Sequence, residues 1–152
     1  MNILIAAIGR AKPGPERDLY LSYAARVPWR VDLKEIEIRK ESSLDVRRSL
    51  EGQALLAAIP EQAKVVVLDE RGKAETSARF ASRLGAWRDD GVRNLAFLIG
   101  GADGHDDTVR ARADAVLCFG TMTWPHMLVR VMLAEQLYRA HSILIGHPYH
   151  RG

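Results

Sequence analysis

The sequence contains a single cysteine, no long apolar run and little excess of either charge. One thiol cannot form an intrachain disulfide, and the apolar stretch around Cys118 favours a buried thiol in a reducing compartment over a nucleophile. The longest apolar run, Ile3 to Ile8, is far too short to span a bilayer. Met1-Asn2 offers neither the basic region nor the cleavage site of a signal peptide. We therefore expect a cytoplasmic protein with no membrane partner.

The length also limits the organisation of the chain. Its 152 residues, 47% of them hydrophobic, suffice for one well-formed core but not for two domains of ordinary size. We therefore expect a single domain over residues 1–152. The net charge of +3 permits a polyanionic partner without requiring one, because the basic residues are scattered among 19 acidic ones.

Short apolar runs alternate five times with segments of helical periodicity. This alternation predicts an α/β fold, with a mostly parallel sheet and helices on both faces. Val65–Leu68 and Leu95–Ile99 lack polar alternation, which indicates central strands that are covered on both sides. The predicted pairs of strand and helix are 3–8 with 16–27, 31–38 with 44–59, 65–68 with 77–90, 95–99 with 106–113, and 115–119 with 127–145.

In open parallel sheets, ligands bind beyond the carboxyl ends of the strands, so three loops are informative. The loop Gly100–Gly104 contains three glycines, which allow a ligand to approach the backbone closely, although a tight structural turn explains them equally well. It matches neither a dinucleotide-binding nor a P-loop pattern. Gly120–His126 offers main-chain groups suited to an adenine, or is an ordinary connection. Asp69–Lys73 is polar and less diagnostic.

The C-terminal 27 residues hold four of the five histidines and a single carboxylate, that of Glu135. The tail from Gly146 to Gly152 is therefore either part of a site or a disordered terminus. A zinc site built from His126, His147 and His150 is weakly supported, because the last two flank a Pro-Tyr pair and lack a neighbouring carboxylate. We expect no metal.

The helix predicted over Met127 to Tyr138 is apolar on more than one face. A surface helix of a monomer seldom has this character. Two explanations remain open: the helix forms a subunit interface, or it is deeply buried within its own domain.

Four segments together resemble the ribosomal RNA large subunit methyltransferase H family, small SPOUT-class enzymes that methylate a pseudouridine of large-subunit rRNA. They are Leu98–Gly101, Thr123-x-Pro125-His126-x-Leu128-x-Arg130, Glu135–Ala140 and the closing His147–Arg151. The likeness covers nearly the whole chain and is most specific in the C-terminal third. The family's usual Gly-Gly-Pro-Glu-Gly is here Gly100-Gly101-Ala102-Asp103-Gly104, and Met127 stands where proline is common.

The resemblance implies a C-terminal trefoil knot, a homodimer, and methyl transfer from S-adenosylmethionine to N3 of a pseudouridine. The implied cofactor residues are Leu68, Gly101, Gly120, Thr121, Met122, Thr123, Trp124 and Pro125. The implied catalytic residues are His126, Tyr149, His150 and Arg151. In these roles His126, or His150 of the partner subunit, accepts the imide proton, Arg151 stabilises the anion or holds a phosphate, and Tyr149 stacks on the base.

Two other functions remain open. A non-catalytic ribosome-binding protein would keep the fold without turnover, but the intact glycines and the full histidine tail speak against it. A zinc-dependent hydrolase would have to contain stoichiometric metal.

Overall fold

The computed structural model describes residues 1–39 and 43–151. Strands and helices alternate through these residues as predicted. The strands are β1 (Asn2–Ile8), β2 (Arg30–Ile36), β3 (Lys64–Ala74), β4 (Asn94–Ile99) and β5 (Ala115–Cys118). The helices are α1 (Pro15–Arg26), α2 (Leu44–Ala57), α3 (Ser77–Asp89), α4 (Asp107–Arg112) and α5 (His126–Ile145).

The five strands form one sheet in the order β2-β1-β4-β3-β5, and every neighbouring pair is parallel. The prediction that β3 and β4 are interior strands is confirmed. Val65, Val67 and Phe97 are fully buried because helices cover both faces of the sheet.

Alternate residues of the strands feed two hydrophobic clusters, one on each face. On one face the strands pack with α1, α3 and α5, which contribute Tyr20, Phe80 and Leu133. On the other face α2 and α4 contribute Leu55 and Val109. The predicted helices on both faces are thus confirmed. No helix in the described part of the chain is both long and apolar enough to cross a membrane.

Local signals set the helix ends. The Thr76 hydroxyl accepts a hydrogen bond from the Arg79 N–H at 3.1 Å and caps α3. Gly91 follows the end of α3 with φ +84°, a left-handed conformation that favours glycine. Pro125 is the N-cap residue of α5.

Helix α5 is covered largely by its own chain. Val131, Leu133, Ala134 and Leu137 are buried against the sheet and neighbouring helices. Of the two explanations for its apolar faces, burial within the domain therefore accounts for these four residues. Its composition alone no longer argues for a second subunit.

Strand β3 is longer than predicted because the chain bulges after Leu68 and then pairs with β5 again. Leu117 of β5 pairs with both Leu68 and Lys73 of β3. In the bulge between them, an ideal Cβ on Gly72 would lie 2.6 Å from the Leu117 carbonyl carbon, so only glycine fits there. The trefoil knot remains a prediction from the resemblance.

Candidate active site

A cavity of about 1020 Å³ opens beside the bulge of β3 that follows Leu68 and at the carboxyl ends of β4 and β5. Eight of the residues predicted for the site line it: Leu68, Gly101, Gly120, Met122, Thr123, Trp124, Pro125 and His126. Thr121 is not among the lining residues, although both its neighbours are. Three loops that are distant in sequence therefore form one site, as expected where parallel strands end at the same edge of a sheet.

The glycine loop is also a tight structural turn. Gly104 donates its N–H to the Gly101 carbonyl at 3.1 Å and has φ +75°. An ideal Cβ on Gly101 would lie 3.1 Å from Ile8 Cγ2 and 3.6 Å from both carboxylate oxygens of Glu51. A side chain at position 101 would therefore crowd Ile8 and Glu51, independently of any effect on a ligand. The tight structural turn is thus confirmed, and it lies at the cavity wall; close approach of a ligand to its backbone stays a prediction.

The loop from Gly120 to Trp124 leaves its main chain available. Among the residues that the structure describes, none of these five takes part in a backbone-to-backbone hydrogen bond. Gly120 has φ +112°, and the space that a Cβ would occupy is open. The Trp124 indole N–H donates to the Phe119 carbonyl at 3.2 Å and anchors the loop. Free donors and acceptors at a cavity wall suit the edge of a planar heterocycle.

A polar network that the sequence interpretation missed braces two of the loops. Arg110 donates to the Asp69 carboxylate at 3.1 Å and to the His105 carbonyl at 2.9 Å. His105 is buried, and its Nε2 donates to the Leu68 carbonyl at 3.1 Å. Burial lowers the pKa of His105 and outweighs the opposing effect of Asp69, so the ring is neutral at pH 7. The only sequence signal was the position of Asp69 directly after a buried strand.

His126 lies at the first residue of α5, half-buried at the edge of the cavity. Burial, followed by the charge of Arg130, lowers the pKa of His126 below 6.5. The imidazole is therefore neutral at pH 7 and can accept a proton.

The tail is ordered against α5, so the alternative of a frayed terminus does not describe residues 147–150. The Tyr149 hydroxyl donates to Glu135 Oε1 at 3.0 Å, and its ring centroid lies 4.6 Å from that of Tyr138. Burial and the bond to Glu135 raise the pKa of Tyr149 to about 12, which keeps its hydroxyl protonated. Arg139 Nη1 contacts His150 Nδ1 at 3.2 Å.

These contacts hold the tail away from the cavity of its own chain. Arg139 follows His126 by thirteen residues in α5, which corresponds to about 20 Å along the helix axis. Tyr149, His150 and the exposed Arg151 are accordingly absent from the cavity lining. Within residues 1–39 and 43–151, no three His, Cys, Asp or Glu side chains are grouped so that they could hold a metal ion.

A second, mostly apolar cavity of about 590 Å³ adjoins the first. Both cavities are lined by Leu117, Cys118, Phe119 and Gly120, so this segment forms a shared wall. Cys118 is half-buried in that wall rather than fully buried. The second cavity also reaches Met132 and Glu135 of α5.

The sequence and fold correspond to a known class of enzyme. The family described as "Predicted SPOUT methyltransferase" matches residues 1–150, nearly the whole chain. The fold is also that of a probable methylase family protein from Haemophilus influenzae, with a TM-score of 0.60 at 10% identity over 99% of this chain and 71% of that one. A putative methyltransferase from Legionella pneumophila, solved with bound S-adenosylmethionine, has a TM-score of 0.53 at 11% identity, over 92% of this chain and 66% of that one.

Sequence relatives narrow the class. The ribosomal RNA large subunit methyltransferase H of Paramagnetospirillum magneticum is 58% identical over 151 residues, and that of Rhodospirillum centenum is 56% identical over the same length. Each match covers 99% of both chains. The chain belongs to the ribosomal RNA large subunit methyltransferase H family of SPOUT methyltransferases.

Proposed function

We propose that the protein transfers a methyl group from S-adenosylmethionine to N3 of a pseudouridine in large-subunit ribosomal RNA. The observation that carries this proposal is that the glycine loop Gly100–Gly104, the loop Gly120–Pro125 and the neutral His126 line the same cavity. Family membership supports the reaction class, and the names of the relatives support the RNA. We further propose that the protein acts in the cytoplasm as a single domain.

The residues present fit the cofactor. Open space above Gly120 and unpaired main-chain groups from Gly120 to Trp124 suit the adenine, while Leu68 and Gly101 flank the remainder. Acidic side chains outnumber basic ones in the cavity lining by six to three, which complements a cationic ligand. The acidic residues are Asp45, Asp69, Glu70, Asp103, Asp106 and Asp107, and the basic ones are Arg48, Arg71 and Arg110. When bound, S-adenosylmethionine supplies an electrophilic methyl group on sulfur, so the protein contributes alignment rather than covalent chemistry.

The acceptor nitrogen must lose its imide proton as the new N–C bond forms and the S–C bond breaks. His126 is neutral and at the cavity edge, so its imidazole is the base that we favour within the chain. His150 of a partner subunit is the other candidate, with Arg151 stabilising the anion or a phosphate and Tyr149 stacking on the base.

The tail would act on the cavity of a second subunit. In its own chain it lies about 20 Å along α5 from His126, too far to complete that site. The second cavity supports a dimer, because it is mostly apolar and Leu19 in its lining is 46% exposed, which suits contact with another subunit. This cavity also shares a wall with the first cavity. A partner seated there would lie next to the first cavity.

A non-catalytic ribosome-binding protein is the alternative. It needs neither an open cofactor cavity nor a neutral histidine at its edge, and the chain has both. Methyl transfer decides between the two.

The direct test is transfer of labelled methyl from S-adenosylmethionine to assembled ribosomes, isolated large subunits and naked rRNA in parallel, followed by mapping of the modified nucleotide. We expect one methyl group on N3 of one pseudouridine. Incorporation at another atom, or none with any of the three substrates, would refute the proposal.

Complementation tests the tail. Deletion of residues 147–151 should nearly abolish methyl transfer with little change in cofactor affinity, while Ala102→Trp should block the cavity from its exposed rim. Mixing the two variants should restore activity in heterodimers, where an intact cavity meets an intact tail. Confirmed heterodimers without activity would mean that the tail serves its own subunit.

A further inference from the structure

Among the residues that the structure describes, Arg130 is the largest buried side chain, 2% exposed, and the proposed reaction gives it no role. Its Nη1 donates to Glu35 Oε2 at 2.7 Å. Its Nη2 donates to the carbonyls of Gly9 at 2.8 Å and Ile8 at 3.1 Å. A buried guanidinium requires such partners because an uncompensated buried charge is costly. Arg130 is therefore committed to the ends of β1 and β2.

Stabilisation of the fold alone does not explain the ion pair between Arg130 and Glu35. The buried Nε of Arg130 has no hydrogen-bond partner among the residues that the structure describes. Buried ion pairs are often no better for stability than apolar residues of similar size, and an unpaired buried N–H is a further cost. The arrangement is better explained by the backbone that it holds.

That backbone is the turn by which the chain leaves β1. Glu35 Oε2 also accepts the Ala11 N–H at 2.6 Å, and the Gly9 N–H donates to the Ile36 carbonyl at 2.8 Å. Gly9 itself has φ +94°, so the turn is tight. Burial acts to raise the pKa of Glu35, but the Ala11 N–H and Arg130 outweigh it and the pKa is lowered, which keeps the carboxylate ionised.

The same turn lies against His126. An ideal Cβ on Gly9 would be 3.7 Å from His126 Nε2, 3.5 Å from Met127 Cε and 3.9 Å from Arg130 Nη2. His126 and Arg130 are one helical turn apart, so they share a face of α5. The imidazole of His126 therefore contacts the Gly9 turn and also lines the cavity.

We propose that Arg130 and Glu35 are positioning residues for methyl transfer: they hold the Gly9 turn that fixes the His126 imidazole at the cavity edge. The inference rests on the proposed function. Displacement of a reacting group by about 1 Å costs up to about 100-fold in rate, so a small shift of this turn is enough to matter.

The test compares Arg130→Lys, Glu35→Gln and the double variant Glu35→Gln with Arg130→Met. Lysine keeps the charge but cannot donate to three acceptors in the same fork geometry. The double variant removes both charges, which should recover the stability that either single charge change loses. Asp114→Asn is the matched control: Asp114 accepts the Val65 N–H at 2.8 Å, is 3.6 Å from Arg112 and precedes β5, at the opposite end of the sheet.

The measurements are thermal unfolding, calorimetric affinity for S-adenosylmethionine, and kcat and KM with ribosomes. We expect kcat to fall about 10- to 100-fold in Arg130→Lys and in the stable double variant, with cofactor affinity and KM within about twofold. Asp114→Asn should lose stability without losing kcat. Full kcat in the stable double variant would overturn the inference and give the pair a structural role alone. Failure of the unmodified protein to methylate any substrate would instead refute the proposed function.

Discussion

The bulge of β3 beside β5 gives Gly72 the tightest surroundings of any glycine in the described part of the chain. An alanine Cβ there would lie 2.6 Å from the carbonyl carbon and 2.8 Å from the amide nitrogen of Leu117. Carbon atoms in contact normally stand about 3.5–4.0 Å apart, so one backbone segment must move by about 1 Å. Both segments are held in the sheet, and neither is the free end of a side chain that can rotate away.

We expect Gly72→Ala to cost about 3 kcal/mol, the upper end of ordinary overpacking. For a chain of this size that lowers Tm by about 6–12 °C. Cofactor affinity should fall too, because Asp69 and Arg71 of the displaced segment line the cavity. Circular dichroism melting and calorimetry measure both effects.

Gly85→Ala is the matched control. Its Cβ would meet Leu144 Cδ2 at 2.8 Å, a similar overlap with the end of a flexible side chain. Alanine also gains about 1 kcal/mol of helix propensity within α3, so the net change should be small. If Gly72→Ala melted within 2 °C of Gly85→Ala, roughly what 1 kcal/mol produces, the inferred tightness of the bulge would be wrong.

Three further predictions concern the site and its dimer. Ala102→Trp should weaken S-adenosylmethionine binding at least about tenfold, a change of about 1.4 kcal/mol in calorimetry. The control is Ala57→Trp, because Ala57 is exposed and lies away from the cavity; equal affinities of the two variants would place the ligand elsewhere. Because the pKa of His126 lies below 6.5, single-turnover methyl transfer should persist at pH 6.5 and decline only at lower pH, as the imidazole is protonated. In the double variant Glu35→Gln with Arg130→Met, which removes the Arg130 charge without leaving Glu35 unpaired, this decline should move to higher pH, and an unmoved profile would argue against His126 as the base. Sedimentation of the unmodified protein should give twice the chain mass of 16.9 kDa, and Leu19→Asp should lower the measured mass to that of one chain. A monomer of the unmodified protein at micromolar concentration would refute a site built from the cavity of one subunit and the tail of another.

The elements of the fold were predictable because their signals are local. Val65–Leu68 and Leu95–Ile99 are continuous apolar runs, and such runs become interior parallel strands wherever helices cover both faces. Thr76 and Gly91 mark the ends of α3 through bonds and dihedral angles that involve only nearby residues. The cavity loops were predictable for a related reason, since parallel strands bring their carboxyl ends to one edge.

The covering of α5 was not predictable in the same way. A helix that is apolar on several faces has the same sequence whether a sheet of its own chain or a second subunit covers it. The buried state of Val131, Leu133 and Leu137 depends on the packing of α5 against the sheet and α1. The place of His150 beside Arg139 likewise depends on the length of α5, which carries it about 20 Å beyond His126.

Sequence alone determined which segments are strands, helices and cavity-lining loops, because periodicity, caps and glycines act over a few residues. Only the tertiary structure decided that Glu35 neutralises Arg130, 95 residues away, and that Gly72 lies on the backbone of Leu117. Neither pair leaves a local signal. The ion pair and the steric requirement for glycine arise only when the fold brings distant segments of the chain into contact.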